Sequence, residues 1–363
     1  MGNFKQVFAS RKEGFKQRWT KRIDDFKSLS KKEKTSYILN KIIDNALYIL
    51  ILALVIAVTI YNPKFVQGQS IINILTLSAS RLVMALGIAG CIVLTGTDLS
   101  AGKMLGLAMV ICASLLQEPD YVLKMFPGVP WLTPIVPLLI VMVVCGLLGM
   151  FNGFCVAKFK LHPFIVTLGT QLMIFGLALI YVTLGTNKGA PIGGLDERYT
   201  KLIIGDFLGV PRLVWYSAVV AIIMWFVWNK TIFGKNMFAV GCNEEAAKVS
   251  GVSVFWTITL VFALAGVLYG VTGFFESARL GSNIATAGDG AELDAIAACV
   301  IGGVSFTGGV GKIRGVIMGV ILLQLINAAL VFLDVPGAYT YIVRGAIILV
   351  ACAIDMRKYM VKK

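Results

Sequence analysis

The chain has 363 residues, of which 58% are hydrophobic and only 14% are charged. Soluble domains carry about 25% charged residues, so this composition excludes an ordinary soluble enzyme and a disordered chain and indicates a polytopic membrane protein. The net charge of +14 is typical of a nucleic-acid binder or of a membrane protein whose basic residues lie on one side.

The first predicted element is a basic cytoplasmic segment over residues 1–43. Within the first 45 residues there are 12 Lys and Arg against five Asp and Glu. Phe15, Trp19, Ile23 and Phe26 recur at helical spacing, which is typical of an amphipathic helix on an anionic lipid surface; a solvated tail is the alternative. The segment lacks the cleavage site of a secretory signal, and no nucleic-acid-binding motif accompanies its charge.

Apolar segments separated by short polar breaks follow. A membrane helix needs about 20 mainly apolar residues, so we expect an all-α protein with about ten transmembrane helices. The predicted segments are 44–61, 71–94, 103–117, 134–157, 163–184, 213–229, 254–275, 292–305, 315–333 and 338–355. Several are short or interrupted by glycine, which predicts broken helices. They form a transmembrane domain over 44–356, followed by a basic cytoplasmic tail over 357–363.

The distribution of basic residues predicts the orientation. With ten helices and a cytoplasmic N-terminus, 24 of the 33 Lys and Arg, Lys103 among them, fall on the cytoplasmic side and seven fall outside. Short cytoplasmic loops are enriched in Lys and Arg. We therefore expect both termini to be cytoplasmic.

Charged residues within the apolar segments are few. The notable ones are expected near segment ends, where such residues pair or anchor at the interface, with pairing favoured: Arg81, Glu292, Asp294 and Arg344. Glu276 and Arg279 are expected just beyond the seventh segment as a local ion pair. A proton- or sodium-coupled carrier needs a cluster of acids within the membrane, and the sequence shows none.

Two polar, glycine-rich breaks interrupt the apolar pattern. In the first, residues 94–102, Asp98 or Ser100 is suited to cap the next helix; lining a translocation path is the alternative role. The second, residues 302–312, contains Ser305 and partly resembles a phosphate-binding loop. Phe306 and Ile313 depart from that motif, so nucleotide binding is rejected.

The loop over 230–253 is predicted to contain a short cytoplasmic helix. Asn243 is a suitable N-cap, acidic residues follow it, and a lysine and a glycine end it. Such a helix is expected to dock a cytoplasmic partner, although a plain connector is the alternative. Its candidate residues are Gly241, Asn243, Glu244, Glu245, Ala246, Ala247, Lys248 and Gly251.

Four segments resemble the signatures of bacterial permeases that import simple sugars through ATP-binding-cassette (ABC) transporters. They are residues 96–102 (GTDLSAG), Asn152-Gly153 followed by 163–170 (PFIVTLGT), the 241–251 loop, and residues 293–299 (LDAIAAC) running into Gly302-Gly303 and Gly308-Gly309. Within this ribose/galactose permease family the galactose and methyl galactoside branch is most similar, and the ribose branch is next. The basic N-terminal extension departs from the pattern.

The resemblance implies a permease fold that works by alternating access, without an ATP site or cofactor of its own, in the bacterial inner membrane. It implies a second permease copy, two ABC ATPase subunits and an extracytoplasmic sugar-binding protein as partners, with the 241–251 helix coupling to the ATPase. The residues expected at the translocation path or its helix breaks are Asp98, Ser100, Asn152, Thr167, Glu292, Asp294 and Ser305. Nucleosides or branched-chain amino acids as cargo, or a stand-alone secondary carrier, are the alternatives.

Overall fold

The computed structural model describes residues 46–360 of the chain. The predicted basic segment 1–43 lies outside the described residues. The chain divides into two units, with the boundary between residues 60 and 61. The described residues of the first unit all lie in helix α1 (Ala46–Tyr61), which ends one residue past that boundary and whose 16 residues reach about 24 Å at 1.5 Å per residue.

The second unit is mostly helical. A short 3-10 helix, Pro63–Val66, lies near its start. The helices that follow are α2 (Gly68–Val93), α3 (Ala101–Leu115), α4 (Ile135–Phe159), α5 (Pro163–Val182), α6 (Glu197–Ile204), α7 (Arg212–Lys230), α8 (Ile232–Cys242), α9 (Glu244–Val249), α10 (Val254–Leu280), α11 (Ala291–Ile301), α12 (Ile313–Phe332) and α13 (Gly337–Met360). A two-residue turn joins strands β1 (Asp206–Phe207) and β2 (Val210–Pro211) into an antiparallel hairpin.

Each predicted apolar segment overlaps a helix in the described residues, but residues 302–305 are not helical, and the helices differ in length. Among the described residues, six are long and apolar enough to cross a membrane, namely α2, α4, α5, α7, α10 and α12. Helix α3 has 15 residues and α11 has 11, so they reach about 22 Å and 16 Å of a hydrocarbon core about 30 Å thick. Non-helical segments, 94–100 and 281–290, precede these two helices.

Helices α4 and α10 pack closely through small residues. The Cα face of Gly149 lies against the Phe262 backbone, Gly266 lies against the Cys145 backbone, and Gly270 lies against Val141. A side chain at any of these glycines would collide with the facing backbone. Small residues of this kind let helices approach in a bilayer, where hydrophobic burial does not drive helices together.

Two expectations about charged residues are wrong. Helix α10 continues to Leu280, so Glu276 and Arg279 lie inside it rather than beyond it. Arg81 lies at the middle of α2, not near its end, because the apolar pattern around it continues in both directions. The predicted Glu276–Arg279 ion pair is confirmed, with 2.5 Å between Nη2 and Oε2.

Candidate functional site

The first break is held by a chain of hydrogen bonds. Asp98 Oδ1 accepts from the backbone N–H of Ser100 at 3.0 Å and from the Ser100 hydroxyl at 2.6 Å. The Ser100 hydroxyl in turn accepts from Asn152 Nδ2 of α4 at 2.9 Å. Ser100 occupies the N-cap position of α3 but makes no side-chain cap hydrogen bond, because its hydroxyl points to Asp98. The three side chains are completely buried.

Helix α5 braces the same break from the other side. Its Thr167 hydroxyl accepts from the backbone N–H of Leu99 at 3.1 Å and lies 3.3 Å from the Thr97 carbonyl oxygen. His162 caps α5, with Nδ1 accepting from the Phe164 N–H at 3.3 Å. The structure therefore brings Asp98, Ser100, Asn152 and Thr167 together where the chain passes through the protein without helical hydrogen bonds.

This network makes a testable contribution to stability. Replacing Asn152 with alanine removes the N–H group that donates to the buried Ser100 hydroxyl oxygen. A buried polar group without its hydrogen-bond partner lowers the free energy of unfolding by about 1–3 kcal/mol. We expect Asn152→Ala to lower the thermal unfolding midpoint of the detergent-solubilised protein. Asn229→Ala is the matched control, because exposed Asn229 bonds only the Trp225 carbonyl within its own helix. Equal midpoints for the two variants would contradict the role given to Asn152.

The second break meets the end of α2 and the end of α8. The backbone N–H of Gly309 donates to the Val93 carbonyl at 2.8 Å, and the Cys242 thiol lies 3.8 Å from the Gly309 carbonyl oxygen. Gly241 is buried in this contact, where a Cβ would collide with the Val93 carbonyl and approach Gly309 N to 2.9 Å. We call this meeting of residues 93, 241–242 and 308–309 the glycine junction. It links both breaks to the loop over 230–253.

Ser305 lies in the same second break. Its backbone N–H donates to the Val310 carbonyl at 3.0 Å, and its hydroxyl lies 2.9 Å from that of Thr307. These bonds close the 305–310 turn. Ser305 is buried, on the side of the turn away from solvent.

The loop over 230–253 contains two helices, α8 and α9, rather than one. The predicted cap is confirmed, because Asn243 Oδ1 accepts from the Ala246 N–H at 2.9 Å. Ala247 is buried, whereas Glu244, Glu245, Ala246 and Lys248 are exposed. Gly251 ends the loop at a φ of +83°, which favours glycine.

Sequence reasoning missed Val249 in this helix. Its side chain is 89% exposed, next to exposed Ala246 and Ser250. An apolar side chain so fully exposed on a short, capped helix is suited to packing against another protein. The signal was present in the sequence, as a valine on the same helical face as Glu245.

Glu292 and Asp294 lie apart from the first-break network. Glu292 is buried beside Gly102. Asp294 forms an ion pair with Arg344 of α13 at 3.3 Å, and Arg344 Nε lies 3.3 Å from Asn327 Oδ1 of α12. These contacts tie α11 to α12 and α13, and they give Asp294 and Arg344 the pairing expected of them, although the two residues are far apart in the sequence.

Lys103 lies in the first turn of α3, where it pairs with Asp289. The two positions are separated by 186 residues, so no local pattern relates them. In the described part of the chain, no group of three or more His, Cys, Asp or Glu side chains is placed to hold a metal ion.

Several long apolar helices, two helix breaks and a capped helix in a polar loop define a multi-pass membrane transport subunit. Residues 70–352 match the family model described as the permease component of a branched-chain amino acid transport system. The chain belongs to this family of ABC permeases. It is a transport subunit of the inner membrane rather than an enzyme, and such permeases act with an ATPase and a binding protein.

Three similar proteins are described as sugar import permeases. The galactose/methyl galactoside import permease of Escherichia coli (strain K12) is 42% identical over 93% of this chain and 99% of its own. The Haemophilus influenzae protein of the same description is 43% identical over 88% and 96%. The ribose import permease of Bacillus subtilis (strain 168) is 35% identical over 84% and 90%. No solved structure matches significantly. These relatives do not favour the amino-acid, nucleoside or secondary-carrier alternatives.

Proposed function

We propose that the chain is the membrane subunit of an ATP-driven importer of galactose or methyl galactoside. The permeases described for these sugars match it at 42–43% identity along nearly their whole length. Ribose is the second candidate, supported by the 35% identical ribose permease. The subunit forms the translocation path by alternating access and hydrolyses no ATP itself.

The proposed arrangement has ten membrane-crossing segments with both termini in the cytoplasm. Helices α3 and α11 are too short to cross alone, and the non-helical segments 94–100 and 281–290 complete the two crossings. Two permease copies enclose the path, two ATPase subunits lie below, and the binding protein delivers sugar from outside. Membrane lipid surrounds the apolar outer faces of α4, α5 and α7, where many large side chains are exposed.

The coupling mechanism that we propose rests on the contacts of the glycine junction. Helix α9 is proposed to seat in the ATPase and to move with it. Its displacement passes through α8 to Gly241, and from there to the Val93 and Gly309 backbones. Because these lie at the two breaks, one movement reaches both of them. The conformation of the first break is stabilised by Asp98, Ser100, Asn152 and Thr167. That of the second break is stabilised by Ser305.

Reconstitution tests the proposal. We expect proteoliposomes with this chain alone to take up no D-galactose and to hydrolyse no ATP. Adding the ATPase and the sugar-binding protein encoded with it is expected to give uptake that needs ATP. Uptake by the chain alone, driven by a proton or sodium gradient, would contradict the proposal.

A further inference from the structure

The proposed coupling mechanism does not involve the ion pair between α3 and segment 281–290. This pair also contacts α5. Lys103 Nζ of α3 bonds Asp289 Oδ1 of segment 281–290. The same Nζ lies 3.9 Å from the centre of the Phe175 ring of α5. A cation over an aromatic ring is attracted by the ring's electron density, so Phe175 and Asp289 fix the lysine side chain from two sides.

The position of Phe175 along helix α5 indicates how deep this ion pair lies in the membrane. It has 20 residues, from Pro163 to Val182, and is long and apolar enough to cross a membrane. Phe175 lies 12 residues after its start, about 18 Å along its axis. The hydrocarbon core is about 30 Å thick, so Lys103 and Asp289 lie well inside it.

Near the ion pair, the backbone of segment 281–290 packs directly against the backbone of α3. The Cα face of Gly102 lies against the Gly288 carbonyl and the Glu292 carboxylate, and Gly106 faces the Ala285 carbonyl. This close approach places segment 281–290 directly on the first turns of α3. The position of Asp289 is therefore set by the fold and not by a loose loop.

The two members of the pair differ in exposure. The Lys103 side chain is 11% exposed, and that of Asp289 is 51% exposed. An ionised group in contact with lipid at this depth is costly, and non-helical backbone within a membrane is tolerated only when it is buried in protein or lines a water-filled cavity. Thr286, exposed on the same segment, adds a polar group. The face that carries Asp289 is therefore turned away from lipid, toward the space between the two proposed permease copies.

We propose that Asp289 is a contact for sugar hydroxyl groups on the translocation path, and that Lys103 and Phe175 position it. Among the described residues, Lys103 is the side chain that bonds the Asp289 carboxylate, and it bonds Oδ1. A carboxylate has acceptor sites for several hydrogen bonds, so sugar hydroxyls can donate to it while Lys103 stays bound. An ion pair carries no net charge, which suits a neutral polyhydroxylated ligand. This inference rests on the proposed function.

The test uses the complete transporter of permease, ATPase and binding protein in proteoliposomes, with D-galactose and D-ribose as probes. We expect Asp289→Asn to lower the initial uptake rate about tenfold, because charged acceptors form the stronger hydrogen bonds. ATP hydrolysis stimulated by the loaded binding protein is expected to persist. Asp289→Glu keeps the charge but displaces it, and is expected to retain uptake with a changed galactose-to-ribose rate ratio. Glu197→Gln is the control, because it removes a carboxylate from the exposed Glu197–Lys201 pair and is expected to leave uptake unchanged.

A charge exchange separates a sugar contact from a purely structural ion pair. The double variant Lys103→Asp with Asp289→Lys restores the attraction but moves the carboxylate away from the exposed face. We expect it to remain defective in uptake. Recovered uptake in the exchange variant, or unchanged uptake and rate ratio in both Asp289→Asn and Asp289→Glu, would overturn the inference. Failure of the unaltered transporter to take up either sugar would instead count against the proposed function.

Discussion

Replacing Val249 with aspartate is expected to abolish ATP hydrolysis stimulated by the sugar-loaded binding protein, and sugar uptake with it. Val249 is 89% exposed, so the substitution removes no internal packing and the permease should fold normally. At an interface with the ATPase, the new carboxylate would be buried without a partner, which costs several kcal/mol. The measurements are ATPase rate, uptake rate and co-purification of the ATPase with the permease.

The control for this variant is the same substitution at an equally exposed valine elsewhere. Val122, in the loop between α3 and α4, is 95% exposed and is proposed to face outside. We expect Val122→Asp to assemble with the ATPase as the unaltered chain does. If Val249→Asp also assembles and stimulates ATP hydrolysis normally, then α9 is a connector and not a docking helix.

Replacing Gly241 with alanine is expected to stop transport by opening the glycine junction. The new Cβ would collide with the Val93 carbonyl and would lie 2.9 Å from the Gly309 nitrogen. These neighbours are backbone atoms, which cannot rotate away as side chains can. Overpacking of this kind costs about 1–3 kcal/mol. We expect a lower unfolding midpoint together with ATP hydrolysis that no longer drives uptake.

Gly169→Ala provides the matched control for the junction variant. Gly169 lies within α5, and a Cβ there meets nothing within 4 Å. Alanine is favoured over glycine inside a helix by about 0.5–1 kcal/mol, so this variant should be as stable as the unaltered chain or more so. Normal uptake by Gly241→Ala would show that the close approach at the junction does not carry the coupling.

Local chemistry made the helices and the cap of α9 predictable from sequence. Apolar runs give membrane helices wherever they occur, because a backbone inside lipid must satisfy its own hydrogen bonds. Asn243 caps α9 through an amide N–H only three residues away. The Asp98–Ser100 contact is equally local, since it spans two residues.

Contacts between distant segments were not predictable in this way. Asn152 and Thr167 were named because of a family resemblance, and nothing near them in the sequence indicates that they meet residues 97–100. The Lys103–Asp289 pair is a clearer case. No charge pattern in the sequence indicates that Lys103 pairs with a residue 186 positions away, and the packing of Gly102 on Gly288 brings the two together. The glycine junction likewise depends on three separate segments.

The two non-helical segments are built of turns, so α3 and α11 both begin inside the bundle. Thr95 turns the chain at a φ of +61° in the first segment, and Gly281 and Gly290 have positive φ in the second. The first turn of a helix has backbone N–H groups without helical partners and carries a partial positive charge. Acidic side chains lie at both starts: Asp98 just before α3, and Glu292 and Asp294 in the first turn of α11. Each break therefore places a helix dipole and a carboxylate of opposite sign within the bundle.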